Sequence, residues 1–330
     1  MQPQKMRNLR LHLNKLPLTM HEETHTVGAI APVFRHAASA WFLSETNFGI
    51  KMAVTTISPD ILRQEATGLR VPPPHDLLRN DGARGRFLPE ALFIRARLVY
   101  RRRAYASGRK TSPFALYRRE DIVFVHVPKN AGTFINSIVY PGLPAERSTE
   151  INAHHSAQYL ARLDRRAFEA LPKFAILRHP AARLKSAFNY LKFKTPFETD
   201  RAFAARALAP FADFEAFCRT ITPEGFAALL DWPHFQPQVS FLCDPAGRLM
   251  VDALTTFEGM ETGLARLGAA FGKRWPAIEV RTDTERPSQP AMDFVTRWYA
   301  GDLRLWEIVR AAPEDFCQVA AAPSVTRRAG

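Results

Sequence analysis

Lys129, Asn130, Gly132 and Thr133 fall within five residues of one another, directly after an apolar run at 122–127 that Pro128 closes. Behind them Phe134, Ile135, Ile138 and Val139 recur at the spacing of one helix face, so the stretch reads as strand, tight loop and helix. In such a junction the loop N–H groups and the helix N-terminus converge on one spot, where Lys129 adds a positive charge and Thr133 a hydroxyl. The chemistry is that of holding a phosphate or a sulfate. A Walker-type triphosphate loop carries its lysine directly after the second glycine and places a hydroxyl on magnesium, whereas Lys129 precedes the only glycine of this loop by three residues.

A second anion-suited segment lies downstream. Phe174, Ala175, Ile176 and Leu177 predict a short buried strand, Arg178-His179-Pro180 ends it, and Leu184, Ala187, Phe188 and Leu191 form the apolar stripe of a following helix. Arg183 and Ser186, three apart, share a different face of that helix. An arginine at the strand end and a serine one to two turns into the helix can grip one phosphate from two sides, because guanidinium offers paired donors and the hydroxyl a third. Between the two segments, residues 152–160 bring His154 and His155 to the start of a helix expected to run toward Leu171 and Pro172. Imidazole titrates near neutrality, so either histidine is a candidate base for a sugar hydroxyl.

The order Pro128-Lys129-x-Ala131-Gly132-Thr133 after a strand resembles the 5′-phosphosulfate loop of sulfotransferases that use 3′-phosphoadenosine 5′-phosphosulfate (PAPS). Arg178-x-Pro180-x-x-Arg183-x-x-Ser186 is similar to the pattern with which that family binds the 3′-phosphate. Residues 154–160 resemble the Lys-His-x-Thr-Ala-x-x-Leu segment of its heparan-sulfate and chondroitin-type carbohydrate members, and matching Ala157 and Leu160 puts the family's base on His154, with Ala153 where the family has lysine. His155 matches only after a slip of one residue. Looser landmarks follow: His234, Pro237 and Gln238; Val251-Asp252; Phe257-Glu258-Gly259, with glycine where the family often has asparagine; Arg286-Pro287-Ser288 as a loop over the nucleotide; and Tyr299 to Asp302 in a terminal helix. His234 or Gln238 is expected at the acceptor or as a packed polar residue at a strand start.

The resemblance spans roughly residues 120–310 and implies a bacterial-like carbohydrate sulfotransferase. The expected fold is α/β, a P-loop-like central parallel sheet flanked by helices, with the nucleotide at the C-terminal strand ends. The resemblance implies PAPS as co-substrate, leaving as adenosine 3′,5′-bisphosphate (PAP), with no metal. It assigns nucleotide contacts to Lys129, Asn130, Ala131, Gly132, Thr133, Phe134, Arg178 and Ser186, and catalysis to His154 as base and Lys129 at the leaving oxygen. A carbohydrate or glycan is the expected acceptor. Two other classes stay open: a P-loop kinase or NTPase, and a nucleic-acid-binding protein.

Composition bounds the rest. The chain has 330 residues, 46% of them hydrophobic, enough to bury a core. The expected organisation is a basic, partly irregular N-terminal extension at 1–118, a catalytic domain at 119–320 and a tail at 321–330. Met52 is an alternative natural start. The most apolar N-terminal window, 27–43, is interrupted by Arg35 and His36, so no membrane span or leader is expected, and Cys218, Cys243 and Cys317 lack metal-ligand spacing. A cytoplasmic location is the expectation. The net charge is +13, and between Arg79 and Arg119 twelve Arg or Lys face two acids. That cluster suits a nucleic acid, an anionic membrane surface, or the encounter with an anionic nucleotide and glycan. A helix over 88–105 would have Leu92, Ile94, Ala96 and Leu98 too closely alternated for a clean stripe, and Asp244-Pro245-Ala246-Gly247 is a hairpin-like turn.

Overall fold

The computed structural model describes residues 55–65, 71–77, 90–143, 151, 154–279 and 286–320. The expectations for the 27–43 window, the Met52 start and the 321–330 tail lie outside them. Strands β1 (Thr55–Ile57), β2 (Val123–Phe124), β3 (Lys173–Leu177), β4 (Ala253–Thr256) and β5 (Phe316–Val319) form one sheet in the order β1-β5-β4-β3-β2. β2 pairs with β3, β3 with β4 and β1 with β5 in parallel, but β4 and β5 are antiparallel. The expected parallel sheet is therefore mixed. The cause lies at the end of the helix Ala300–Ala311, from which a single turn, Pro313–Asp315, delivers β5 beside the C-terminal end of β4, so β5 has to run back along it.

Every residue of β2, β3 and β4 is buried. A strand covered on both faces reads as a continuous apolar run, which is why these segments showed no alternation. β1 belongs to the same sheet, so residues before 119 are part of this α/β body. So is the helix Glu90–Ala106, where Arg102 donates to the carbonyls of Arg162 and Leu163 and thereby caps the helix Ala157–Leu163. Leu92, Val99 and Tyr100 are exposed on Glu90–Ala106, as the crowded pattern suggested.

A second core lies beside the sheet layer. Leu184, Phe188 and Leu191 from the helix Pro180–Asn189 and the π-helical turn Tyr190–Lys194 pack with Phe203, Phe214, Phe217, Phe226, Phe235, Phe294 and Tyr299. Edge-on and tilted ring contacts such as Phe226–Phe294 and Phe188–Phe217 hold the helices Phe214–Thr220, Pro223–Leu229 and Gln289–Trp298 against the helix that carries Ser186.

Three local expectations are corrected. The segment after the histidine pair is two helices, Ala157–Leu163 and Arg165–Ala170, because Asp164 ends the first and its carboxylate caps the second by accepting from Ala167 N–H. Gln238–Leu242 is a short helix in place of a strand start, since Asp302 accepts the N–H groups of Gln238 and Val239 at 2.7 and 2.9 Å. The turn at 244–247 does return the chain, through a Cys243–Leu249 antiparallel bridge with Gly247 at φ +80°. Among the described residues no helix is long and apolar enough to cross a membrane.

Gly259, where the resemblance led to asparagine, has a steric reason. A Cβ there would lie 1.8 Å from Asp315 Oδ2, whose carboxylate is paired with Arg310. Gly259→Asn should therefore lower stability by about 1–3 kcal/mol, as expected for overpacking. Chemical denaturation of the variant checks this, and a melt unchanged from the parent would contradict it.

Candidate active site

The C-terminal ends of β2, β3 and β4 all reach the same edge of the sheet, and each continues into a loop. The loop after β2 holds Lys129 and Ala131 in left-handed backbone, at φ +69° and +59°. Non-glycine residues in that region cost on the order of 1–3 kcal/mol each, so surrounding contacts must over-determine them. They do so from the second loop: Arg183 Nε donates to the Pro128 carbonyl at 3.0 Å and Arg178 Nη1 to the Lys129 carbonyl at 3.1 Å. Asn130 is fully buried, and its Nδ2 donates to the Ile176 carbonyl at 2.6 Å and to Gln238 Oε1 at 2.7 Å. Gln238 in turn accepts the Arg178 N–H and donates to the Arg178 carbonyl, at 3.0 and 2.9 Å. The third loop joins through Glu258, which accepts from His179 N–H and Trp306 Nε1.

The helix Gly132–Val139 starts at Ala131 with no side chain capping it, so its first amides stay available on the loop side. Gly132 is required by close approach: a Cβ there would meet His126 Nε2 at 1.7 Å.

Two cavities adjoin this junction and share Lys129, Arg178, Ser186 and Tyr190. The first, of about 370 Å³, is lined also by Lys185, Lys194 and Arg286, with Glu215 as its one carboxylate and Ala181, Phe214, Pro287 and Ala291 as apolar wall. Glu215 is engaged by the Ser288 hydroxyl. The second, of about 640 Å³, is lined by Ala131, Gly132, Thr133 and Phe134, by His126, His154 and His234, and by Phe197, Asp200 and Phe257.

The imidazoles form a ladder along the second cavity. Ring centroids are 4.6 Å apart for His126–His154, 5.4 Å for His154–His234 and 5.3 Å for His234–Tyr190, and the Lys129 ammonium sits 3.7 Å above the Tyr190 ring. Burial drives His154 well below the ordinary histidine pKa, neighbouring imidazoles add to this, and a hydrogen bond to the His126 backbone opposes it. Burial takes His234 down to about 3, with Lys129 and Arg183 contributing. Both rings are therefore neutral at pH 7, and Nδ1 of each lacks a hydrogen-bond partner. Lys129 is lowered to about 8, by burial first and by Arg178 next.

The residues singled out from the sequence separate into two groups. Lys129, Ala131, Gly132, Thr133, Phe134, His154, Arg178 and Ser186 line the cavities. The Asn130, Gln238 and Arg183 side chains point inward; Arg183, expected beside Ser186 on an open face, is 1% exposed and serves the Pro128 carbonyl. His234 lines the second cavity and Arg286 the first. His154 is not helical: its φ is +48°, and the helix begins after Ser156, whose hydroxyl caps it. The two histidines diverge all the same, His154 toward His126 and His155 stacked on Tyr159 at 5.0 Å. The sequence reading missed His126, Tyr190, Lys185, Lys194 and Asp200. His126 had a signal, a polar residue inside an apolar run, whereas Tyr190 reaches the site only because the helix changes to a π turn, which has no sequence pattern. Compared with protein families, curated proteins and solved structures, the chain matches none.

Asn130→Asp should destabilise the fold by about 1–3 kcal/mol, because a carboxylate cannot donate to the Ile176 carbonyl or to Gln238 Oε1 and leaves both buried acceptors unmet. Urea unfolding measures this. Wild-type stability in the variant would mean that the buried amide does not fasten the loops.

Proposed function

We propose that this protein transfers a sulfuryl group from PAPS to a hydroxyl of a carbohydrate acceptor. The observation that carries the reading is the pair of anion-suited loops after the neighbouring parallel strands β2 and β3, tied to each other and set between two cavities that share Lys129, Arg178 and Ser186. A nucleotide with two separated anionic ends fits that arrangement. The P-loop-like character of the fold, the metal-free scheme and a cytoplasmic setting, the last suggested by three free thiols, are part of the same proposal.

When bound, PAPS supplies the sulfuryl group: the acceptor oxygen bonds to sulfur as the bond from sulfur to the 5′-phosphate oxygen breaks, and PAP leaves with that electron pair. Arg178 and Ser186 hold the 3′-phosphate, with Lys185, Lys194 and Arg286 adding positive charge around the first cavity. Phe214, Pro287 and Ala291 give the base an apolar wall. The amides of Gly132 and Thr133 and the Lys129 ammonium offset charge on the phosphosulfate, and Lys129 stabilises the oxygen on which charge develops. His154 receives the acceptor proton at Nδ1, the ring nitrogen left without a partner. Negative charge brought to the loop raises the proton affinity of His154, opposing the depression caused by burial.

PAP should raise the melting temperature without divalent metal, as linkage requires for a ligand of the native state. ATP with magnesium and a short DNA duplex are the comparison ligands. Stabilisation by ATP with magnesium and none by PAP would make the protein a kinase or NTPase, and stabilisation by the duplex alone a nucleic-acid binder.

The pH dependence of kcat/KM follows from Lys129. Its lowered pKa means that the protonated, charge-stabilising form is lost as pH rises through about 8, so activity should fall there, and Lys129→Arg should move that limb upward. On the same assay His154→Ala should cost roughly two to four orders of magnitude in turnover with PAP affinity unchanged, while His155→Ala stays mild. Full activity in both histidine variants would remove the base from this segment.

A further inference from the structure

Behind the histidine pair lies a third cavity, of about 380 Å³, lined by Arg101, Tyr105, Arg109, Lys110 and Ile151. Its volume is that of a small-ligand site. No carboxylate lines it, and neither Arg101, Arg109 nor Lys110 forms an ion pair among the described residues. Three cations gathered in one concavity repel each other, and an anion entering it relieves that repulsion. The backbone shapes the place: Gly108, at φ +70°, turns the chain out of the helix Glu90–Ala106 so that Arg109 and Lys110 fold back beside Arg101.

This cavity is coupled to the candidate active site. Tyr105 hydrogen-bonds Tyr159, and Tyr159 stacks on His155. Ile151 lines the cationic cavity and His154 the second cavity, and three residues of chain separate their Cα atoms by at most about 11 Å. We infer that the cationic cavity receives a sulfate or carboxylate group of the acceptor, carried on a sugar unit next to the one whose hydroxyl meets His154. The protein would then select glycans that are already charged. The inference rests on the proposed sulfotransferase function.

The test uses a sulfated heparin hexasaccharide as probe and isothermal titration calorimetry on the full chain. The triple variant Arg101→Gln, Arg109→Gln, Lys110→Gln should bind it on the order of tenfold more weakly or worse, since each lost charge-assisted contact is worth about a factor of ten. A control with equal charge loss, Arg166→Gln, Arg206→Gln, Arg274→Gln, removes three exposed arginines outside the cavity and should bind like the parent. PAP titrated into all three proteins verifies their fold and should bind equally. An equal loss in both triple variants, or a loss in neither, overturns the inference, as does a DNA duplex that binds through the three residues in place of the hexasaccharide. Loss confined to the cavity variant in a protein that fails to bind PAP would leave an anion site standing and sink the sulfotransferase reading beneath it.

Discussion

The Asn130 and Gln238 side-chain amides meet inside the protein with their hydrogen-bonding capacity turned on the ends of β2 and β3. Asn130 gives both N–H groups, one to β3 at Ile176 and one to Gln238, while Gln238 closes two bonds on the Arg178 backbone. Asp302 fixes Gln238 from behind by accepting its backbone N–H. Only an amide offers donor and acceptor together at such a point; a carboxylate would lack the donors, and an apolar side chain would strand several buried groups. Lys129 and Ala131 keep their left-handed backbone because the residue between them is anchored in this way.

The same anchoring decides the electrostatics. With Asn130 held inward, Lys129 projects to where the two cavities join, and Arg178, held by its backbone, lies across the Phe257 ring at 4.5 Å with its guanidinium on the Lys129 carbonyl. Cations so close together depress each other, as the lowered pKa of Lys129 records. Imidazoles in the next cavity would add to this repulsion if charged. Burial keeps His154 and His234 neutral, so a base and a cationic anion site stand side by side in one pocket. Such a junction has its lowest energy with an anion present.

Much of this junction was legible in the chain because its signals are local. The strand-loop-helix at 122–139 and the strand-helix at 174–191 each lie within about twenty residues, and proline, glycine and apolar spacing mark their limits. The buried stripe Leu184, Ala187, Phe188 and Leu191 is found as read. What failed were statements about partners: Arg183 has the type and spacing of a phosphate ligand, yet it is spent on the Pro128 carbonyl, 55 residues away.

By itself, then, the sequence determined an α/β pattern, two anion-suited loops in order, and a histidine pair between them. Tertiary structure decided which groups face the cavities, because burial and long-range hydrogen bonds leave no period in a sequence. The 108-residue reach from Asn130 to Gln238, the separation of His154 from His155, the antiparallel fifth strand and the glycine forced at 259 all depend on contacts between segments far apart in the chain. Local residue types set what each segment could form. Close packing around the ends of β2, β3 and β4 set which of those side chains were left free to meet a ligand.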